Sequence, residues 1–79
     1  MEIEVAIQHG VQWVPVTFTC WIEGSGVDAR WGGTFPIQGD MRLGKTFYKL
    51  DGFTGSVVIT NVAAGVVEFF GNGLPPGEA

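Results

Sequence analysis

Seventy-nine residues suffice for one domain, and a domain of this size buries only somewhat over ~60% of the surface its unfolded chain exposes, so its core is thin. With 46% hydrophobic residues, three Trp, six Phe and a formal net charge of -4, the chain carries more apolar material than such an interior takes up, and its acidity argues against a general nucleic-acid-binding role. A lone cysteine, Cys20, excludes an intramolecular disulfide; the start Met1-Glu2-Ile3-Glu4 lacks the basic head of a signal peptide, and no stretch approaches the ~20 apolar residues that cross a bilayer, so a cytoplasmic protein without a membrane partner is expected.

In chain order, Glu2–Gln8 alternates Ile3, Val5 and Ile7 with Glu2, Glu4, Ala6 and Gln8, the period-two pattern of a half-buried strand. His9-Gly10 supplies a turn. From Gln12 to Glu23, Val14, Val16, Phe18, Cys20 and Ile22 share one face, while Trp13 and Trp21 share the other. Pro15 lacks an amide donor and marks an edge position or a bulge. Gly24-Ser25-Gly26 turns the chain into a short strand, Val27–Trp31, which Gly32-Gly33 breaks or bends; Thr34–Gln38 follows as a further short edge strand. Gly39-Asp40 turns again. Lys45–Leu50 and Phe53–Val62 flank Asp51-Gly52, the strongest short hairpin signal in the chain. Asn61–Gly65 turns the chain into a last strand, Val66–Phe70.

Thirteen glycines interrupt every helical candidate, and several short strands at regular spacing point to an all-β fold. A small closed or partly open antiparallel barrel of five to seven short strands is the expected architecture, because closure removes aggregation-prone edges. Residues 1–71 form this single barrel-like domain, and 72–79, with Pro75-Pro76 and no periodicity, read as a flexible C-terminal tail.

Two segments imitate nucleotide-binding motifs. Residues 39–46, Gly-Asp-Met-Arg-Leu-Gly-Lys-Thr, satisfy the pattern G-x-x-x-x-G-K-[ST], yet a phosphate cradle needs a helix starting at the lysine, and Asp51-Gly52 leaves room for about one turn. Residues 24–29 fit G-x-G-x-x-[GA], with Gly32-Gly33 again stopping the required helix. Both read as β-turn segments, so no cofactor is expected. The single His9 and Cys20 are too far apart along one hairpin to act as base and nucleophile, and they do not make up the roughly four ligands of a zinc site. No catalytic residue and no metal ligand is expected, and the chain reads as a non-enzyme.

Charge is unevenly placed. Arg30, Arg42, Lys45 and Lys49, the only four bases, fall between positions 30 and 49 with Asp40 as the one acid among them. Together with Trp13, Trp21 and Trp31 they define the candidate binding surface, since exposed aromatics stack on rings or anchor protein interfaces. The resulting functional expectation is a binding or interaction module that associates with itself or with another protein. The alternatives are a small acidic inhibitor of a host macromolecule encoded by a phage or mobile element, and an enzyme or small-ligand carrier using a barrel mouth.

The runs Tyr48-Lys49-Leu50-Asp51-Gly52-Phe53-Thr54-Gly55, Val57–Val62 and Val67–Gly73 resemble a stretch found in short uncharacterised proteins of bacteria and their mobile elements. The resemblance covers about the last third of the chain. It implies a compact β-domain of prokaryotic or phage origin.

Overall fold

A computed structural model describes residues 1–24, 28–36, 39–73 and 76. The chain folds into six strands: β1 (Glu2–His9), β2 (Gln12–Glu23), β3 (Arg30–Pro36), β4 (Gly44–Leu50), β5 (Phe53–Ala63) and β6 (Val66–Gly71). They close into a barrel in the order β1-β2-β3-β6-β5-β4, with every neighbouring pair antiparallel. The fold is therefore the small closed antiparallel barrel that the alternating pattern announces.

Turn chemistry sets the registers. Gly10 (φ 65) occupies the first central position of the two-residue link between His9 and Gln12, where a type II′ turn demands glycine. Asp51 and Gly52 both adopt positive φ, 48 and 83, the type I′ geometry that their identity favours. Ala64-Gly65 makes the same kind of turn with φ 53 and 76, and here a Cβ-bearing residue without a helpful polar side chain sits in the left-handed region at a cost of about 1 kcal/mol.

The β1–β2 ladder runs without a shift from Glu2↔Thr19 to His9↔Gln12. Pro15 therefore produces no bulge against β1. It sits where β2 has not yet met β3, whose pairing starts at Thr19. Since the phase is unbroken, Phe18 and Cys20 are buried and Trp13 and Trp21 stay outside at 36% and 40% exposure. Among the described residues the ladder shifts instead in β5, between Ile59 and Asn61. It turns Val57, Ile59 and then Val62 to the core side and leaves Thr60 and Asn61 outside.

Two readings of the segment around Gly32-Gly33 are corrected. The glycines do not break the strand; they lie inside β3, which is paired on both sides, to β2 and to β6. A side chain at Gly33 would meet the Thr19 carbonyl at 2.0 Å and one at Gly32 the Phe69 carbonyl at 2.6 Å, so close strand approach selects glycine there. The part of the expected edge strand beyond Pro36, residues 37–38, lies outside the described residues, as do 25–27 in the preceding turn. The second correction concerns Trp31. It is no surface residue but a core one, 1% exposed, because the register Ile22↔Trp31 puts it on the inner face shared by Phe18 and Cys20. Past the barrel, Asn72 remains tied down, its amide donating to the Ser56 carbonyl (3.1 Å) and its Nδ2 to Ser56 Oγ (3.2 Å). Pro76 is buried; the rest of the expected tail, 74–75 and 77–79, lies outside the described residues.

The core consists of rings. Phe18 lies 4.5 Å from Phe69 and 5.5 Å from both Phe35 and Tyr48, measured between ring centroids; Trp31 meets Tyr48 and Phe69 edge-on at 5.8 Å. Two glycines make room for them. A Cβ on Gly71 would lie 1.8 Å from Trp31 Cε2, and one on Gly55 would lie 2.5 Å from Tyr48 Cζ. Gly71→Ala is expected to destabilise the barrel by at least about 3 kcal/mol in a urea titration, the upper range for overpacking. Trp31→Leu in the same chain should recover part of that loss, giving a non-additive double-mutant cycle. Additive losses would show that ring and glycine are not in contact. Ala64→Asn should stabilise by about 0.5–1 kcal/mol through relief at the left-handed turn position, read as a higher midpoint with an unchanged urea slope.

Candidate functional site

Outward-facing residues sort into two groups on different sides of the barrel. The first lies over the β1–β4 seam. β4 presents Lys45, Phe47 and Lys49 outward, alternating with the core-side Thr46, Tyr48 and Leu50. Lys49 pairs with Ala6, which in turn pairs with Pro15 of β2. Ala6 is short enough to let the lysine stem cross β1. The Lys49 ammonium rests 4.3 Å from the Trp13 ring centroid, and the Lys45 ammonium 5.3 Å from that of Phe47. Both lie within the ~6 Å reach of a cation–π contact.

Above this stripe, the loop preceding β4 faces the β1–β2 turn across a groove of about 610 Å³ lined by Gln8, His9, Asp40, Arg42, Lys45 and Thr46. The loop is fastened at two points. His9 Nε2 donates to the Asp40 carbonyl, and Thr46 Oγ1 donates to the Gln8 carbonyl at 3.0 Å. The segment that imitates a phosphate-binding loop is thus a loop running straight into a strand. Lys45 and Thr46 belong to β4, and Thr46 is engaged with β1.

The second group lies over the β3–β6 seam. Trp21 and Phe70 both flank Gly32 across their ladders. A Cβ on Gly32 would come within 2.9 Å of Trp21 Cζ2, so the indole covers the gap left by the missing side chain. Trp21 and Phe70 meet edge-on at 5.8 Å and remain 40% and 53% exposed. The next row of the sheet is Thr19↔Thr34↔Glu68↔Asn61. Its one charge is held at the margin, with Asn61 Nδ2 donating to Glu68 Oε2 at 3.1 Å.

Of the seven residues singled out in the sequence, the structure gathers Trp13, Lys45 and Lys49 on one face, with Arg42 exposed in the adjoining loop. Trp21 belongs to the other seam. Arg30 opens β3 opposite Glu23, away from the remaining bases, and Trp31 is in the core. Sequence reasoning passed over Phe47 and Phe70. Their signal was present in the doublets Phe47-Tyr48 and Phe69-Phe70, since neighbours on a strand face opposite sides and only one of each pair can be buried.

Three polar atoms inside the barrel could attract chemistry. The Cys20 thiol is pushed up by burial, partly offset by the Met1 ammonium, which donates to the Cys20 carbonyl at 3.2 Å. Burial raises the Tyr48 phenol to about 12, with a smaller contribution from Cys20. Trp31 Nε1 and Tyr48 Oη have no hydrogen-bond partner among the described residues. A thiol and a phenol held neutral in a packed interior are poor nucleophile and base at neutral pH. Space at the barrel end beneath Met41, lined by Ile7, Val14, Val16 and Phe35, amounts to about 10 Å³, enough for one water at most and not for a carried ligand. Among the described residues, no group of three or more His, Cys, Asp or Glu is placed to hold a metal ion, and no helix is long and apolar enough to cross a membrane.

No protein-family model, curated protein or solved structure matches the chain.

Tyr48 gives the interior a pH signature. Its folded value of about 12 stands above the ordinary 10.0, so its neutral form is favoured by folding. The stability this confers is complete below pH 10 and is lost as pH rises from 10 towards 12. Because Tyr48 is the only tyrosine, phenolate absorbance reports it alone, and its appearance should coincide with unfolding. Tyr48→Phe should abolish this alkaline step and cost less than about 1 kcal/mol at neutral pH, since it removes a buried hydroxyl that has no partner. Titration near pH 10 in a still-folded barrel would show that the hydroxyl reaches water.

Proposed function

We propose that this barrel is a non-enzymatic interaction module that associates with a second copy of itself through the outer face of the β3–β6 seam. The observation carrying this reading is the Trp21–Phe70 pair, held edge-on across Gly32 and left about half exposed. Aromatic anchors of this kind contribute most of the binding energy at protein interfaces. The rows beside them are threonines, Thr19 and Thr34, with Thr60 at the bulge and Glu68 drawn aside by Asn61. A centre poor in charge with a polar margin is what an interface core requires. It is also a surface that a two-fold copy of itself would complement, with no net charge of like sign forced together at the centre.

The second support comes from composition. Trp21, Phe70, Phe47 and Phe53 are 38–53% exposed although the interior is already filled with rings, and contact with a partner is the physical outlet for that apolar surplus.

Sedimentation velocity across a concentration series should show a monomer–dimer equilibrium in the micromolar range. Phe70→Ser, which changes no inner contact, should raise the dissociation constant by about 30-fold or more, the effect of losing an interface anchor worth about 2 kcal/mol. A wild-type chain that stays monomeric at high micromolar concentration would remove the reading.

A further inference from the structure

The face over the β1–β4 seam, on the other side of the barrel, is built for a different partner. We propose that it binds single-stranded nucleic acid, with bases stacked on Trp13 and Phe47 and the phosphate chain led past Lys49, Lys45 and Arg42.

Three observations on this face converge. First, β4 alternates cation, ring, cation on its outer side as Lys45, Phe47 and Lys49, and Trp13 supplies a second ring across β1. Along β4, alternate residues are about 6.6 Å apart, which sets Phe47 between its two lysines, and Trp13 stands two strands over, about 10 Å away across β1, so an extended single strand reaches from one ring to the other by crossing the seam. Second, each ammonium is held over a ring and not against a carboxylate, so both cations remain available to phosphate. Each cation lies over a ring, so a phosphate that draws the ammonium aside opens that ring face to a base, and the two elements of sequence-tolerant single-strand binding are thereby placed together. Third, the stripe leads into the groove lined by Lys45 and Arg42, with Asp40 as its one acid, which carries two of the cations beyond the last ring.

The acidic balance of the whole chain bears on strength and not on placement. Glu2 and Glu4 share the outer side of β1 with Ala6, Asp51 follows β4 and Asp40 lines the groove, while Lys49 leans from its partner Ala6 towards Trp13 and away from Glu4. With only three phosphate-facing cations, binding is modest and steeply salt-dependent. Its log–log slope should be about -2, from ~0.7 for each of three phosphates on a single strand. Duplex DNA, whose bases are stacked internally, offers nothing to Trp13 and Phe47 and is excluded as the preferred form.

The test is fluorescence anisotropy of a labelled oligothymidylate of about a dozen nucleotides at low salt, with polyglutamate and duplex DNA of matched charge as competitors. Saturable binding, weakened about tenfold by Trp13→Leu and again by Lys45→Ala with Lys49→Ala, and poorly competed by polyglutamate, is expected. All three side chains project outward, and an unchanged far-ultraviolet spectrum and melting curve would certify that the variants fold. Trp21→Leu should leave oligonucleotide affinity unchanged, which separates this face from the self-association surface. No binding at low salt overturns the proposal. So does polyglutamate competing as well as the oligonucleotide, which would mark a bare electrostatic patch suited to an acidic protein, and so does insensitivity to loss of Trp13.

Discussion

The barrel depends on large rings seated directly on glycines. Six strands enclose too narrow a lumen for bulky side chains to face one another across every ladder. The indole of Trp31 occupies the volume that a side chain at Gly71 would need, and the phenol ring of Tyr48 does the same at Gly55. Phe69 stands opposite Gly33 in the β3–β6 ladder. Each ring then reaches the next, so Phe18, Trp31, Phe35, Tyr48 and Phe69 form one contiguous cluster. Closure of the sheet and filling of its interior are thus the same event. The unpaired Trp31 Nε1 and Tyr48 Oη are the cost of using aromatic rings with polar atoms to fill the space.

The arrangement has an approximate two-fold character that organises its surfaces. β1, β2 and β3 span 8, 12 and 7 residues; β4, β5 and β6 span 7, 11 and 6. The first link in each half is a two-residue turn, and exchanging β1 with β4, β2 with β5 and β3 with β6 leaves the strand order unchanged. Positions separated by 41, the spacing between the turns at Gly10 and Asp51, match along the inner face: Ile7 with Tyr48, Val16 with Val57, Phe18 with Ile59. The two seams where the halves meet are not equivalent. β3 and β6 share a ladder from Gly32↔Phe70 to Pro36↔Val66, tight enough to select glycine. β1 and β4 share only Ala6↔Lys49 and Ile7↔Tyr48, supplemented by the Thr46 hydroxyl on the Gln8 carbonyl. Packing over the first seam leaves aromatic surface, and over the second it leaves lysines lying on rings.

Sequence alternation was enough to separate inside from outside wherever a strand is long and unbroken. Along β2 it distinguished Phe18 and Cys20 from Trp13 and Trp21, and the Asp51-Gly52 turn was readable because few other dipeptides tolerate two left-handed residues. The failures are non-local. Gly32-Gly33 looks like a break because glycine is a poor strand former in isolation; it is a strand because a β6 carbonyl presses on Gly32 and a β2 carbonyl on Gly33. The face of Trp31 depends on whether β2 and β3 meet in odd or even register, and the connection between them hides that parity. Arg42, Lys45 and Lys49 clustered legibly because one loop and one strand carry them, whereas Arg30 opens a strand on the far seam.

The proposed association runs through side chains, although a small sheet also offers backbone edges. Between the two ends of each staggered seam, strands have stretches with a ladder partner on one side only among the described residues. In β2, such a stretch runs from Gln12 to Phe18, and Pro15 stands in the middle of it without an amide to donate. In β1 it runs from Glu2 to Val5, where Glu2 and Glu4 would place like charges together if two copies aligned. At the start of β5, Asn72 covers Ser56 with both its amide and its side chain. Proline, repelled carboxylates and a covering residue are the standard means by which a sheet refuses a further strand. With these three stretches closed to pairing, the outward aromatic surface is the attractive surface on which the proposed association draws, and its position over the two seams follows from the glycines and short residues that closure required.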